Sequence, residues 1–286
     1  MIQHQDFDAA QLARFKSLQR RAYETLEEAA SQLKVGETEA TVARRLRRAF
    51  AAQGVTSYFH VPVALFGERT AYPGAFGQFE ALPTQRALAE GDAVILDAAP
   101  ICDGYMVDVS LAVPHGGETA AFKEADTLLR ELRALVLTRT RERKASMREI
   151  AREVDGVIKA QGFENCHRKH IGMVLAHRMA RVGPAWLARR RLWGLSPLPV
   201  GWFFWRSFRS LRGEPTLTPN WNHTRQSDCP PQPGLWAMEP HVARGALGAK
   251  FEEILVVTEN DAYYLDEDLP HHRRWAAAPL GTQPIG

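Results

Sequence analysis

The chain is poor in cysteine. Only Cys102, Cys166 and Cys229 occur in 286 residues. An odd, widely spaced set argues against a disulfide framework or a zinc knuckle and fits a reducing cytoplasm. Long apolar runs are also lacking. The most apolar stretch, residues 193–205, is short and carries Pro197 and Pro199, whereas a membrane-spanning helix needs about 20 apolar residues. The first ten residues hold Gln3, His4, Gln5, Asp6 and Asp8, with no basic region leading into an apolar core. They do not read as a signal peptide. Neither charge sign dominates: 36 basic and 33 acidic residues leave a net +3, too little by itself to predict nucleic-acid binding. A glycine loop for phosphate and a Ser-His-Asp pattern are both missing. The expectation is a cytoplasmic protein with no membrane or nucleic-acid partner and no organic cofactor.

What is present is ordinary globular material, 45% hydrophobic and 24% charged, and long enough for one large domain or two small ones. Residues 8–33 and 38–53 carry helical periodicity, the second ending at Gly54. Residues 61–66 form a short strand candidate. Asp92–Asp97 and Tyr105–Val113 read as strands, with Asp103-Gly104 between them as a hairpin turn signal. Residues 119–143 predict a long charged helix. Ser146 opens another, with Glu149 completing a capping-box pattern, and it ends near Gly162. Residues 235–242 and 251–258 are the later strands. The order suggests two α+β halves, roughly 1–115 and 116–286, around one mixed or antiparallel sheet. Residues 184–233 interrupt it with an arginine run, an aromatic cluster and Pro230-Pro231-Gln232-Pro233-Gly234. A loop this long is usually functional or flexible.

The chemistry-bearing residues lie in these strands. Asp97 ends one strand, and Asp108 follows eleven residues later in the next. Carboxylates brought to one face repel unless a cation lies between them. Glu239 and Glu252 each interrupt an apolar strand, and a buried carboxylate must be paired, protonated or metal-bound. His170 and His177 flank Ile171-Gly172-Met173-Val174-Leu175-Ala176. Taken singly, each has an ordinary reading: a solvated strand-end Asp, a Glu paired with one of the many arginines, a core His.

Together, their order and spacing resemble a known family. Residues 88–97 (LAEGDAVILD) followed by 104–110 (GYMVDVS) are similar to the first two metal-ligand blocks of the pita-bread metallopeptidases, the methionine aminopeptidase, aminopeptidase P and prolidase group (peptidase family M24). Residues 233–240 (PGLWAMEP) resemble the family's Glu-Pro block. Residues 250–259, opening Lys250-Phe251-Glu252-Glu253, resemble its final Glu block, which maps the ligand to Glu252. The spacing of His170 and His177 matches the metal-binding His and the second, substrate-side His. The resemblance covers roughly residues 10–265.

It implies an α+β pita-bread (creatinase/aminopeptidase) fold: two pseudo-symmetric halves around a curved, mostly antiparallel sheet. One catalytic domain over 1–286 is expected, with a long insertion at about 184–233. It also implies two divalent metal ions, of manganese, cobalt, iron or zinc. Asp97 would chelate one ion, Asp108 and Glu252 would bridge both, and His170 and Glu239 would bind the second. Glu239 would also shuttle a proton, and His177 would hydrogen-bond the scissile carbonyl. The implied activity is hydrolysis of small peptides or peptide N-termini, aminopeptidase or Xaa-Pro in type.

Departures fall on the substrate side. Cys166 stands where the proline-specific branch has a further His. The turn at 66–74 lacks the family's His, leaving His60 as a candidate substitute. Ser110-Leu111 replaces the usual Thr-Arg. These keep open a creatinase-like hydrolase of a non-peptide C–N bond, or an inactive binding module. The insertion is expected to serve as a lid, a homodimer contact or a partner surface.

Overall fold

The structure, a computed structural model, describes residues 1–74 and 80–277. The remaining residues of the expected domain lie outside the described residues. The chain opens with strand β1 (Ile2–Gln3), helices α1 (Ala9–Ser31) and α2 (Glu39–Ala52), and strands β2 (Ser57–Tyr58) and β3 (Val63–Phe66). Four strands follow: β4 (Ala93–Ala98), β5 (Pro100–Cys102), β6 (Tyr105–Met106) and β7 (Val109–Pro114). Helices α3 (Ala120–Glu142) and α4 (Met147–Ala160) lead to β8 (Glu164–Asn165), β9 (Val174–Arg178) and β10 (Arg181–Val182). Then come α5 (Ala185–Ala188), α6 (Pro197–Leu211) and β11 (Asn220–Asn222). The chain closes through β12 (Gly234–Met238), β13 (His241–Arg244), β14 (Leu247–Val257), β15 (Ala262–Tyr264) and α7 (Pro270–Ala277).

Local chemistry explains the helix starts. The Asp8 carboxylate accepts from the Gln11 amide, while the Gln11 side chain accepts from the Asp8 amide, satisfying two otherwise orphaned donors at the head of α1. Ser146 and Glu149 do the same for α4, as expected. Phe15, Leu18, Ala22 and Leu26 recur at helical spacing and are buried. Full burial of a Leu or Phe contributes roughly 1.5–3 kcal/mol.

The strand pairings are antiparallel. The larger sheet runs β11-β9-β12-β14-β7-β4-β3, with β13 and β15 also on β14 and β8 on β13. Pairing of β7 with β14 joins the two halves. Alternate residues serve different cores: Val94 and Leu96 pack with α1 and α2, whereas Ile95 packs with α3 and α4. Beside this curved sheet stands a second, five-stranded one, β1-β10-β6-β5-β2.

Three local differences bear on the site. The strand expected over 105–113 breaks after Met106, and its two pieces join different sheets. The strand expected over 235–242 breaks at Glu239-Pro240, because proline cannot donate to a ladder. The last long strand begins at Leu247, not 251, and so includes Lys250. The Asp103-Gly104 turn links β5 to β6, with positive φ at both residues (50° and 86°), as a two-residue hairpin requires. A side chain at Gly104 would meet the Val182 carbonyl at 2.1 Å. Residues 184–233 are not a long loop: they form α5, α6 and β11, and β11 pairs with β9 at the sheet's end.

Candidate metal centre

Register brings the centre together. Asp97 on β4 lies opposite Ser110 on β7, and Ser110 lies opposite Glu252 on β14. Directly paired residues share a face, so both carboxylates flank a small serine. On the same sheet His177 lies opposite Ala237, and Ala237 opposite Ile254. Ile254 is two residues from Glu252, hence on its face. Lys250 shares that face for the same reason. Asp108 sits in the gap between β6 and β7, and Glu239 in the gap between β12 and β13. At such breaks a side chain is released from strict alternation and can turn toward the group. Asp108, Glu239, Glu252, His177 and Lys250 are all buried.

The side chains converge closely. His177 Nε2 lies 3.1 Å from Asp108 Oδ2, 3.4 Å from Glu252 Oε1 and 3.8 Å from Glu239 Oε1. His60 Nε2, from the segment between β2 and β3, lies 3.0 Å from Asp108 Oδ1 and 3.4 Å from Asp97 Oδ1. Lys250 Nζ lies 2.8 Å from Asp97 Oδ2, 3.2 Å from Glu239 Oε2 and 3.3 Å from Glu252 Oε2. Among the described residues, Asp97 Oδ1, Ser110 Oγ and Glu252 Oε1 are buried without a hydrogen-bond partner. Among the described residues three donor groups have the spacing to hold a metal ion, two of them in this centre, His60, Asp97 and Asp108, and Asp108, His177 and Glu252, and one apart from it, Glu253, His271 and His272. Oxygen-rich ligands with imidazole, and two buried carboxylate oxygens without a hydrogen-bond partner, fit a divalent cation.

His170 lies beside Glu239, its expected companion on the second ion. Its Nδ1 lies 2.9 Å from Glu239 Oε2 and its Nε2 lies 3.1 Å from His241 Nδ1. His241 Nε2 in turn lies 2.7 Å from the Thr70 carbonyl. His170 thus touches one carboxylate of the set, whereas His177 faces three. The physical reason is that His177 stands in the sheet, while His170 lies in the irregular segment before β9. Glu253 points elsewhere, to Arg133 and His271, in keeping with Glu252 as the member of the centre.

Electrostatics follows from this packing. Burial, with Asp108 and Glu239 close by, pushes the Glu252 pKa up to about 8. Burial also opposes charge on Glu239, but Lys250 and His170 outweigh it and hold that pKa at about 2. Asp108 is held well below the usual carboxylate range by His60 and His177, against its burial. Desolvation likewise opposes charge on His177, Lys250 and His60, yet the facing carboxylates raise all three above their ordinary values. Burial, then His170 and Lys250, push His241 well below its ordinary value.

Aromatic rings wall the centre. Phe59 stacks on His177 at 5.4 Å, and Phe203 from α6 meets Phe59 edge-on at 5.3 Å. Residues 184–233 therefore contribute directly to the wall. Sequence reasoning missed Lys250, Phe203 and His241. Lys250 had a readable signal: it precedes Glu252 by two residues, the spacing of one strand face.

The profile of metallopeptidase family M24 matches residues 13–259. No curated protein matches the sequence. Among solved structures, the X-Pro aminopeptidase from Thermotoga maritima is similar with a TM-score of 0.66 at 16% identity, covering 94% of this chain and 64% of that one. The Xaa-Pro dipeptidase from Bacillus anthracis has a TM-score of 0.62 at 17% identity, covering 92% and 62%. The prolidase from Thermococcus sibiricus has a TM-score of 0.62 at 14% identity, covering 92% and 60%. The chain thus spans less than two thirds of the length of these proteins. The likeness shows that the expected pita-bread fold is present. Among the described residues, no helix is long and apolar enough to cross a membrane.

Proposed function

Because this chain belongs to metallopeptidase family M24, we propose that it is a metal-dependent hydrolase of small peptides or peptide N-termini, aminopeptidase or Xaa-Pro in type. The supporting observation is the buried convergence of Asp97, Asp108, Glu239 and Glu252 on two imidazoles, with carboxylate oxygens left unpaired. A divalent ion held there would supply a Lewis acid and would lower the pKa of a bound water toward neutrality. Manganese, cobalt, iron and zinc all suit this donor set.

In this reading Asp97, Asp108, Glu252 and His177 bind the ion. Glu239, kept ionised by Lys250 and His170, accepts the proton of the attacking water and returns it to the leaving amine. His60, the most exposed imidazole of the group at 37%, hydrogen-bonds the scissile carbonyl as charge develops on its oxygen. His177 thus takes the ligand role first expected of His170, and His60 takes the carbonyl-binding role first expected of His177. Phe59 and Phe203 exclude water from the wall behind His177.

Metal content and turnover of a small peptide panel, compared with Asp108→Ala, test this reading. Bound metal and peptide turnover, both lost in the variant, support it. Metal without peptide turnover favours a creatinase-like hydrolase of a non-peptide C–N bond. Neither metal nor turnover favours a binding module.

A further inference from the structure

We propose that Lys250 is a built-in cation that takes the second cation position of this centre, so that the protein binds one divalent ion and not two. The inference rests on the metal-dependent reading above and concerns its stoichiometry.

The carboxylate oxygens divide into two sets. Asp97 Oδ2, Glu239 Oε2 and Glu252 Oε2 face Lys250 Nζ. Asp97 Oδ1, both oxygens of Asp108, Glu252 Oε1 and Glu239 Oε1 face His60 or His177. The unpartnered oxygens of Asp97 and Glu252 both belong to the imidazole-facing set. So do the two donor groups of metal-like spacing within this centre. The lysine-facing oxygens already have a cation, and a dication on those same oxygens would meet strong like-charge repulsion.

Lys250 is fixed there. It lies inside β14, is paired with His241 of β13 and has a side chain only 2% exposed. It cannot swing to solvent as a strand-end lysine would.

The imidazole expected on the second ion is also engaged. The Thr70 carbonyl can only accept, so His241 donates to it from Nε2. His241 Nδ1 in turn lies 3.1 Å from His170 Nε2. His170 Nδ1 is turned to Glu239. Both nitrogens of His170 are therefore engaged, one by Glu239 and one by His241.

The test is metal stoichiometry after manganese loading and desalting, read by elemental analysis, with electron paramagnetic resonance of the bound manganese. The wild-type protein is expected to hold one equivalent, with the spectrum of an isolated ion. His170→Asn keeps that equivalent. Lys250→Met, with its fold checked by circular dichroism, is expected to admit a second equivalent and the spectrum of a coupled pair. Two equivalents and a coupled pair in the wild type overturn the inference while leaving the metal-dependent reading intact, and need no variant. A folded Lys250→Met that still holds one equivalent also overturns it. No ion in either protein overturns both readings.

Discussion

Replacing Glu252 by glutamine is expected to stabilise the metal-free protein. The carboxyl is buried beside Asp108 and Glu239, and its pKa rises from 4.5 to about 8. A carboxyl raised in the folded state costs stability as pH climbs from its unfolded value to its folded one. At pH 7 the unfolded group is ionised while most of the folded group holds a proton. The interval from 4.5 to 7, at 1.36 kcal/mol per pH step, gives a cost of about 3 kcal/mol. Glutamine is neutral and of similar shape, and its carbonyl can still accept from Lys250, so most of this cost should vanish. The gain should be near zero below pH 4, grow through pH 5–7 and level off above about 8. Urea unfolding in chelator at several pH values measures it. A variant less stable than the wild type throughout this range would refute the reasoning. So would a difference that does not change with pH.

His177→Ala should weaken divalent-ion affinity by more than about 100-fold. His170→Ala, whose side chain touches Glu239 and none of the proposed ligands, should cost less than about 10-fold. Chelator competition ranks the two, and the reverse order would restore His170 as the ligand. An ion at about 100 times its dissociation constant should add about 2.7 kcal/mol to apparent stability. Thermal melts should show this as a rise of several degrees that Asp108→Ala abolishes; an equal rise in the variant would place the ion elsewhere. Glu39, buried at the start of α2, accepts from the backbone amides of Phe66 and Thr84 and from the Arg69 guanidinium. Glu39→Ala should therefore cost about 3–5 kcal/mol. Urea unfolding that shows less than about 1 kcal/mol would mean the loop at 67–71 is held by other contacts.

The helices were legible because their signals are local. Asp8, Ser146 and Glu149 cap their own helices, and the apolar stripe of α1 repeats within one segment. Asp103-Gly104 announced a turn because both positions need left-handed backbone. The inserted region was less legible. Helix α6 starts with two prolines and mixes aromatics with arginines, and several of its rings stay exposed. Its periodicity is therefore weak, and its contribution to the site, Phe203 against Phe59, depends on a contact between distant segments.

Sequence alone determined the family likeness, the capped helices and the carboxylates that make up the centre, because each is written in residue type and short-range order. Tertiary structure decided which imidazole faces those carboxylates. The spacing of seven between His170 and His177 is the same whichever one points inward. Only the register of β9, β12, β14, β7 and β4 turns His177 to Asp108 and Glu252. The same register sets Lys250 among three carboxylates contributed by separate strands. That arrangement depends on how far β14 extends and on what lies across from it, and neither is encoded within the segment that carries the lysine.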